Sequence, residues 1–522
     1  MLMNVLSASV VKARLHQGDE IALLDVREAG ESGEGRPLLA INLPYSVLEA
    51  RAITLLPSTT TPIVVMDDGN DDDRAARAAA RLAAQGYADV SIMDGGLAAW
   101  AQAGYVVYKG VNVPSKVFGE LLEHACDTPY IDAKELDEMQ RSDAPPIILD
   151  GRTPAEHQRM SIPGGISCPN AELGLRATSM AKEGQTIVVN CAGRTRSIVG
   201  AQTLIDLGIP NRVVALLNGT KGWRLAGLEL DHDTGLSFPE TIPAANLARV
   251  QRRVRDLMEH EQLPVVAGGE VDAWLDADDR AVYLLDVRTA EEYAAGHQPG
   301  AIHAPGGQLV QGTDQWIAAR GARLVLMDAE HVRAPMTARW LRCMGHDVYV
   351  LALDAKLRNR TPAADMTHLP DVALLRAEAL RIDALPAVVD VRASDAFAEE
   401  HLPGAMWSSR CHLRELSLPN AVVVVAEDEA GARMAAAELN DCGVQVSGWL
   451  AGVDDAEAHG IALVRGEPLP DERRIDYLFF VHDRDQGNLA AAQQYLDWET
   501  GLVHQLDADE QALFSFGGGN SP

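Results

Sequence analysis

The chain has 522 residues, 47% of them hydrophobic and 23% charged, which supplies several buried cores and excludes a disordered polymer. A formal net charge of −30 argues against nucleic acid or an anionic membrane surface as partner. Six cysteines with no C-x-x-C and no metal-ligand spacing argue against a disulfide framework and against zinc.

In chain order, the first signal is an apolar run ending in Leu24-Asp25-Val26-Arg27, which reads as a buried strand entering a loop. The acidic stretch Asp67-Asp68-Gly69-Asn70-Asp71-Asp72-Asp73 lacks the alternation of a calcium loop and reads as solvated loop. Asp94-Gly95-Gly96-Leu97-Ala98-Ala99-Trp100 follows. Gly110 to Pro145 reads as a linker with a helix around Phe118-Gly119-Glu120-Leu121-Leu122.

A second strand end, Leu149-Asp150-Gly151-Arg152, precedes the turn Ile162-Pro163-Gly164-Gly165-Ile166. The strand Val188-Val189-Asn190 then ends in Cys191, followed by the loop Ala192-Gly193-Arg194-Thr195-Arg196-Ser197 and by helical spacing from Ile198 to Leu207. A thiol between a strand end and a helix start lies where free N–H groups and the positive end of the helix dipole converge. Such surroundings lower a thiol pKa from about 8.5 to roughly 3.5–7.5, so Cys191 reads as a thiolate nucleophile at neutral pH. Gly193 suits a positive φ or a close backbone approach, and Arg194 and Arg196 suit an oxyanion. The substrate should be anionic and electrophilic at sulfur or phosphorus. Asn218-Gly219-Thr220-Lys221-Gly222-Trp223 closes this stretch.

A second linker, Phe238-Pro239 to Leu263-Pro264, holds the amphipathic segment Ala245 to Glu259. Beyond it the same signatures return as Leu285-Asp286-Val287-Arg288 with His297-Gln298-Pro299-Gly300-Ala301-Ile302, and as Val389-Asp390-Val391-Arg392 with His401-Leu402-Pro403-Gly404-Ala405. The two histidines read as turn-fixing groups, and Leu450-Ala451-Gly452-Val453 is a weak late repeat. From Arg473 the tail reads as separate, with a buried run at Leu478-Phe479-Phe480-Val481 and a helix from Asn488 to Gln505. Tyr495, Leu496, Trp498 and Leu502 form that helix's packing face. The end, Gly517 to Pro522, reads as frayed.

The order Asp-x-Arg, Pro-Gly turn, cysteine loop and late Gly-Trp motif resembles the rhodanese (sulfurtransferase) family. Ser161 stands where that family usually has His, and the loop glycine lies two residues after the cysteine where many relatives place it three after. The resemblance implies an α/β chain of four tandem rhodanese-like domains, each a central, mostly parallel sheet flanked by helices, plus a C-terminal helical tail. The expected boundaries are 1–110, 130–236 (catalytic), 262–355, 370–465 and 473–522. Aligned on the following helix, Cys191 corresponds to Asp67 or Asp68, to Asp328 (with Arg333 matching Arg196) and to about Ala426. An aspartate cannot carry a persulfide, so modules one, three and four are expected to be inactive.

The resemblance implies ping-pong sulfur transfer. Cys191 takes sulfane sulfur from thiosulfate or a related anionic donor and hands it to cyanide, a thiol or a protein. Ala192, Gly193, Arg194, Thr195, Arg196, Ser197 and Arg152 are expected to bind the substrate, and Asp150 to support the rim. Neither metal nor other cofactor is required. A sulfur-relay scaffold is the alternative of another class. A cysteine phosphatase or arsenate reductase needs C-x5-R, and here Ser197 occupies that arginine's position. The lack of a signal-peptide pattern or of an 18-residue apolar run gives the expectation of a cytoplasmic protein without membrane partners; oligomeric state is left open.

Overall fold

A computed structural model describes residues 3–70, 73–360, 364–376, 386–478 and 488–516. Asp71 and Asp72 of the acidic run, Phe479-Phe480-Val481 and Gly517 to Pro522 lie outside the described residues.

Three five-stranded parallel sheets and one four-stranded parallel sheet carry the fold. In the second sheet the spatial order is Tyr130–Ile131, Val213–Leu216, Ile187–Asn190, Ile147–Asp150, Ile166–Ser167. The first and third sheets repeat this order. The fourth, built of Met406–Trp407, Val388–Asp390, Ala421–Ala426 and Gln445–Ala451, replaces the outer strand with a single bridge from Leu374 to Trp449. The chain is thus an α/β protein of repeated units with helices on both sheet faces, as the sequence predicts.

Burial on both faces explains why the strands read as unbroken apolar runs. Val188 enters a core with Ile148, Val214 and Trp223, while its neighbour Val189 enters the opposite one with Leu173, Ala201 and Leu204. The helices Ala133–Gln140 and Thr195–Asp206 cover the two faces.

The modules group in an order that the linear sequence does not reveal. One compact unit comprises residues 1–14, 21–110 and 362–481; the other comprises 15–20, 111–361 and 482–522. The first and fourth sheets therefore share one unit, and the second and third share the other. Within the first unit, the buried Glu438 carboxylate accepts from Tyr45 Oη at 2.6 Å, Arg77 at 3.1 Å, Arg81 at 3.2 Å and Arg414 at 2.5 Å. Burial alone would raise its pKa, but the Tyr45 hydrogen bond and the charges of Arg410 and Arg414 hold it down at about 2.

The expected separate tail is divided between the units. Ile475 O accepts from Gly30 N at 2.8 Å in the first unit, where a Cβ at Gly30 would stand 2.5 Å from that oxygen. The tail helix Leu489–Gly501 belongs to the second unit. Its face is a packing face, with Tyr495, Leu496 and Leu502 buried.

Candidate active site

Strand pairing sets the site. Asp150 pairs with Asn190 across adjacent parallel strands, which puts Cys191 one residue beyond the carboxyl end of a central strand. The same register pairs Asp25 with Met66, Asp286 with Met327 and Asp390 with Val425. The positions equivalent to Cys191 are therefore Asp67, Asp328 and Ala426.

The cysteine loop is held from behind by the late glycine motif. Thr220 N donates to Cys191 O at 2.9 Å and Lys221 N to Ala192 O at 3.2 Å. This approach needs Gly219, whose φ is +53° and whose added Cβ would lie 2.2 Å from Cys191 O. Cys191 is 2% exposed. Its thiol donates to Ser197 Oγ at 3.6 Å, and that hydroxyl donates to Arg194 O at 2.7 Å.

Gly193 fulfils one half of its expectation. It is not among the residues with positive φ, but a Cβ there would meet Glu499 Oε2 at 3.0 Å and Tyr495 Cε1 at 3.2 Å. The glycine admits the tail helix to the loop.

Both loop arginines are paired with carboxylates. Arg194 donates to both Glu120 oxygens at 2.6 and 2.9 Å and also to Glu123, on the linker helix Val113–Cys126. Arg196 forms a two-point pair with Glu156, both contacts at 2.7 Å. Burial opposes the Glu156 charge, yet Arg196 and Thr153 hold its pKa well below the usual carboxylate range. Glu156 is the third residue of its short helix and also closes a capping box with Thr153. Arg74 with Glu31 and Arg333 with Glu292 repeat this pairing in the first and third modules, where no cysteine needs serving.

Arg152 is likewise committed. It grips Asp150 at 2.7 Å and donates to Met160 O at 2.6 Å. The other three Asp-x-Arg pairs match it, with Arg27 on Gly35 O at 2.6 Å, Arg288 on Gly296 O at 2.7 Å and Arg392 on Glu400 O at 2.8 Å. The same loop-fixing contact therefore recurs at all four strand ends. The turn histidines behave as expected, His297 and His401 binding the carbonyls of Tyr293 and Phe397. At the departure from the family pattern, Ser161 pairs through its main chain with Asp231.

Above Cys191 lies a cavity of about 230 Å³. Ala192, Gly193, Arg194 and Arg196 line it, as do Lys116, Lys221, Gln308, Gln311 and Tyr495, to which the sequence assigned no part in the site. Lys116 comes from the linker helix and sits 3.3 Å from Glu499. Burial disfavours its charge, but Glu499 and Tyr495 outweigh that and raise its pKa. Reciprocally, Glu499 is buried, accepts from Thr195 Oγ1 at 2.7 Å, and is held below its ordinary value by Lys116 and Thr195 despite desolvation. The ammonium groups of Lys221 and Lys116 lie 4.9 and 5.9 Å from the Tyr495 ring centroid. Lys221 stands inside the quoted late motif and Tyr495 on the predicted packing face, so each had a signal of a different kind. Gln308 and Gln311, from the helix Gly306–Gln311 of the third module, had none.

In the first and third modules the aspartate at the cysteine position turns onto main-chain N–H groups, and the third module's rim borders a cavity lined by Asp286, Arg288, His297, Asp328 and Lys356. Asp328 Oδ1 accepts from His331 N at 3.0 Å, and its Oδ2 from Val332 N at 2.9 Å and Arg333 N at 2.8 Å. Asp67 similarly binds Gly69 N and Ala75 N, both at 2.9 Å. No cluster of three or more potential metal ligands occurs among the described residues, and none of their helices is long and apolar enough to cross a membrane.

Comparison with known proteins converges on one family. The rhodanese-like domain pattern matches residues 7–103, 132–226 and 268–354. The crystal structure of thiosulfate sulfurtransferase from Pseudomonas aeruginosa is 40% identical, covers 98% of this chain and 99% of that one, and superposes with a TM-score of 0.90. The "Putative sulfur carrier protein YrkF" of Bacillus subtilis (strain 168) is 27% identical over 135 residues, 24% of this chain and 72% of that protein.

Proposed function

Because this chain belongs to the rhodanese-like family of sulfurtransferases, we propose that it takes sulfane sulfur from thiosulfate, or a related anionic donor, onto Cys191. The carrying observation is the position of Cys191, at the end of a central strand, against the start of the helix Thr195–Asp206 and beneath a cavity with two lysines in its wall.

The Cys191 thiolate attacks the outer sulfur of thiosulfate. The bond between the two donor sulfurs breaks, sulfite leaves with the electron pair, and a Cys191 persulfide remains. Cyanide, a thiol or a protein thiolate then attacks the terminal persulfide sulfur and releases the Cys191 thiolate. The helix start and loop N–H groups stabilise the anionic sulfur. Lys116 and Lys221 share the oxyanion-holding role that the sequence assigned to Arg194 and Arg196; all four line the cavity, and Lys116, Arg194 and Arg196 are each also paired with a carboxylate. Arg152 and Asp150 hold the rim.

Intact-mass measurement after incubation with thiosulfate tests this reading. The expected result is a gain of one sulfur atom, removed by cyanide and absent in Cys191→Ser. A gain that survives in that variant assigns the chemistry to another cysteine.

A further inference from the structure

The cavity over Cys191 exceeds what thiosulfate needs, and it is asymmetric. One side is the cysteine loop. The other is the helix Gly306–Gln311 of the third module, whose own rim carries Asp328 at the cysteine position. Gln311 is only 8% exposed, lines the cavity, and carries a buried amide oxygen with no hydrogen-bond partner among the described residues. A buried amide left unpaired costs free energy, and a half-turn of the group presents either its oxygen or its nitrogen to a ligand.

Gln311 is also held firmly in place. Its main-chain oxygen accepts from Ser115 Oγ at 2.5 Å, tying the third module to the linker helix one residue before Lys116. The cavity therefore combines a nucleophile, two ammonium groups and an unsatisfied amide on separate walls.

We infer that this wall is a second subsite, which holds the carbon-bearing part of a small organic persulfide that carries carboxylate and amide groups, and that Gln311 determines specificity for it. The inference rests on Cys191 being the sulfur carrier. Carboxylate groups of the ligand meet Lys116 and Lys221, and its amide meets Gln311. The Cys191 thiolate attacks the terminal sulfur of the persulfide, the sulfur–sulfur bond breaks, and the organic thiolate leaves with the electron pair. The same subsite accepts that thiolate when the reaction runs in reverse. The third module, which carries Asp328 at the nucleophile's position, thereby acts in the site of the second as a specificity element.

Steady-state kinetics of the full chain with glutathione persulfide and with thiosulfate as donors, and cyanide as acceptor, tests this. Gln311→Leu should lower the ratio of kcat/KM for glutathione persulfide over thiosulfate roughly fivefold, the effect of one hydrogen bond, through KM, and Gln311→Asn should restore part of it. S-methylglutathione, which has no sulfur to transfer, should slow alkylation of Cys191 in the unaltered protein. An unchanged ratio in a folded Gln311→Leu variant, or no protection by S-methylglutathione, overturns the subsite. Failure of both donors to load Cys191 would instead overturn the sulfur-transfer reading itself.

Discussion

Asp328 in the third module occupies the register position of Cys191 in the second, and its carboxylate accepts the main-chain N–H of Arg333 at 2.8 Å. An internal anion thus sits where the second module presents sulfur. The aspartate takes the nucleophile's place and occupies the N–H groups at that strand end, while the cavity beside it keeps Arg288, His297 and Lys356 in its wall.

Asp328→Ala should expose this relationship as a stability cost. Three N–H groups lose their acceptor, and the expected destabilisation is about 1–3 kcal/mol, the usual cost of unsatisfied buried groups. Urea unfolding checks it, with Asp328→Asn expected to recover part of the loss. Unchanged stability in the alanine variant would mean that water or a rearranged loop replaces the carboxylate.

Cys191→Ser should abolish sulfur loading while leaving the circular dichroism spectrum unchanged. Oxygen replaces sulfur at a buried site with little change of shape and cannot form the persulfide. Single-turnover sulfite release from thiosulfate provides the measurement, and sulfite release at the unaltered rate contradicts the assignment.

Arg196 and Lys221 should differ in what they control. Arg196→Ala breaks a pair whose carboxylate, Glu156, is 39% exposed at its side chain, so screening limits the expected stability loss to about 1–2 kcal/mol. Arg333→Ala should behave comparably or cost more, its guanidinium being fully buried. Lys221→Ala should instead raise the KM for thiosulfate, by roughly fivefold or more if one charge-assisted contact is lost. The opposite ranking, with KM governed by Arg196, would return the oxyanion role to the loop arginine.

Acid should weaken the hold of the tail helix on the active loop. Lys116 and Thr195 keep the Glu499 pKa below its ordinary value in the folded protein, so the unfolded chain binds the proton more readily. The stabilisation is present above the ordinary carboxylate pKa of about 4.3 and is lost as pH falls through the lower folded value. Fluorescence of Trp498 against pH should report it, and the transition should be absent in Glu499→Gln.

Much of this protein was legible in its sequence because the determining interactions are local. Asp-x-Arg pairs span two residues, the capping boxes span three, and the cysteine loop runs from strand to helix within a few positions, so Asp150, Arg152, Cys191 and the repeated α/β units are visible to linear reading. Parallel strands buried on both faces announced themselves as apolar runs. Tertiary structure decided which carboxylates the loop arginines pair with. Arg194 meets Glu120 from 74 positions away and Arg196 meets Glu156 from 40, and no local pattern shows that these carboxylates reach them first. It also decided that Lys116, Gln311 and Tyr495 stand around Cys191. Those residues belong to a linker, the third module and a tail, and only long-range packing, set by the fit of side chains across separate elements, makes them one site.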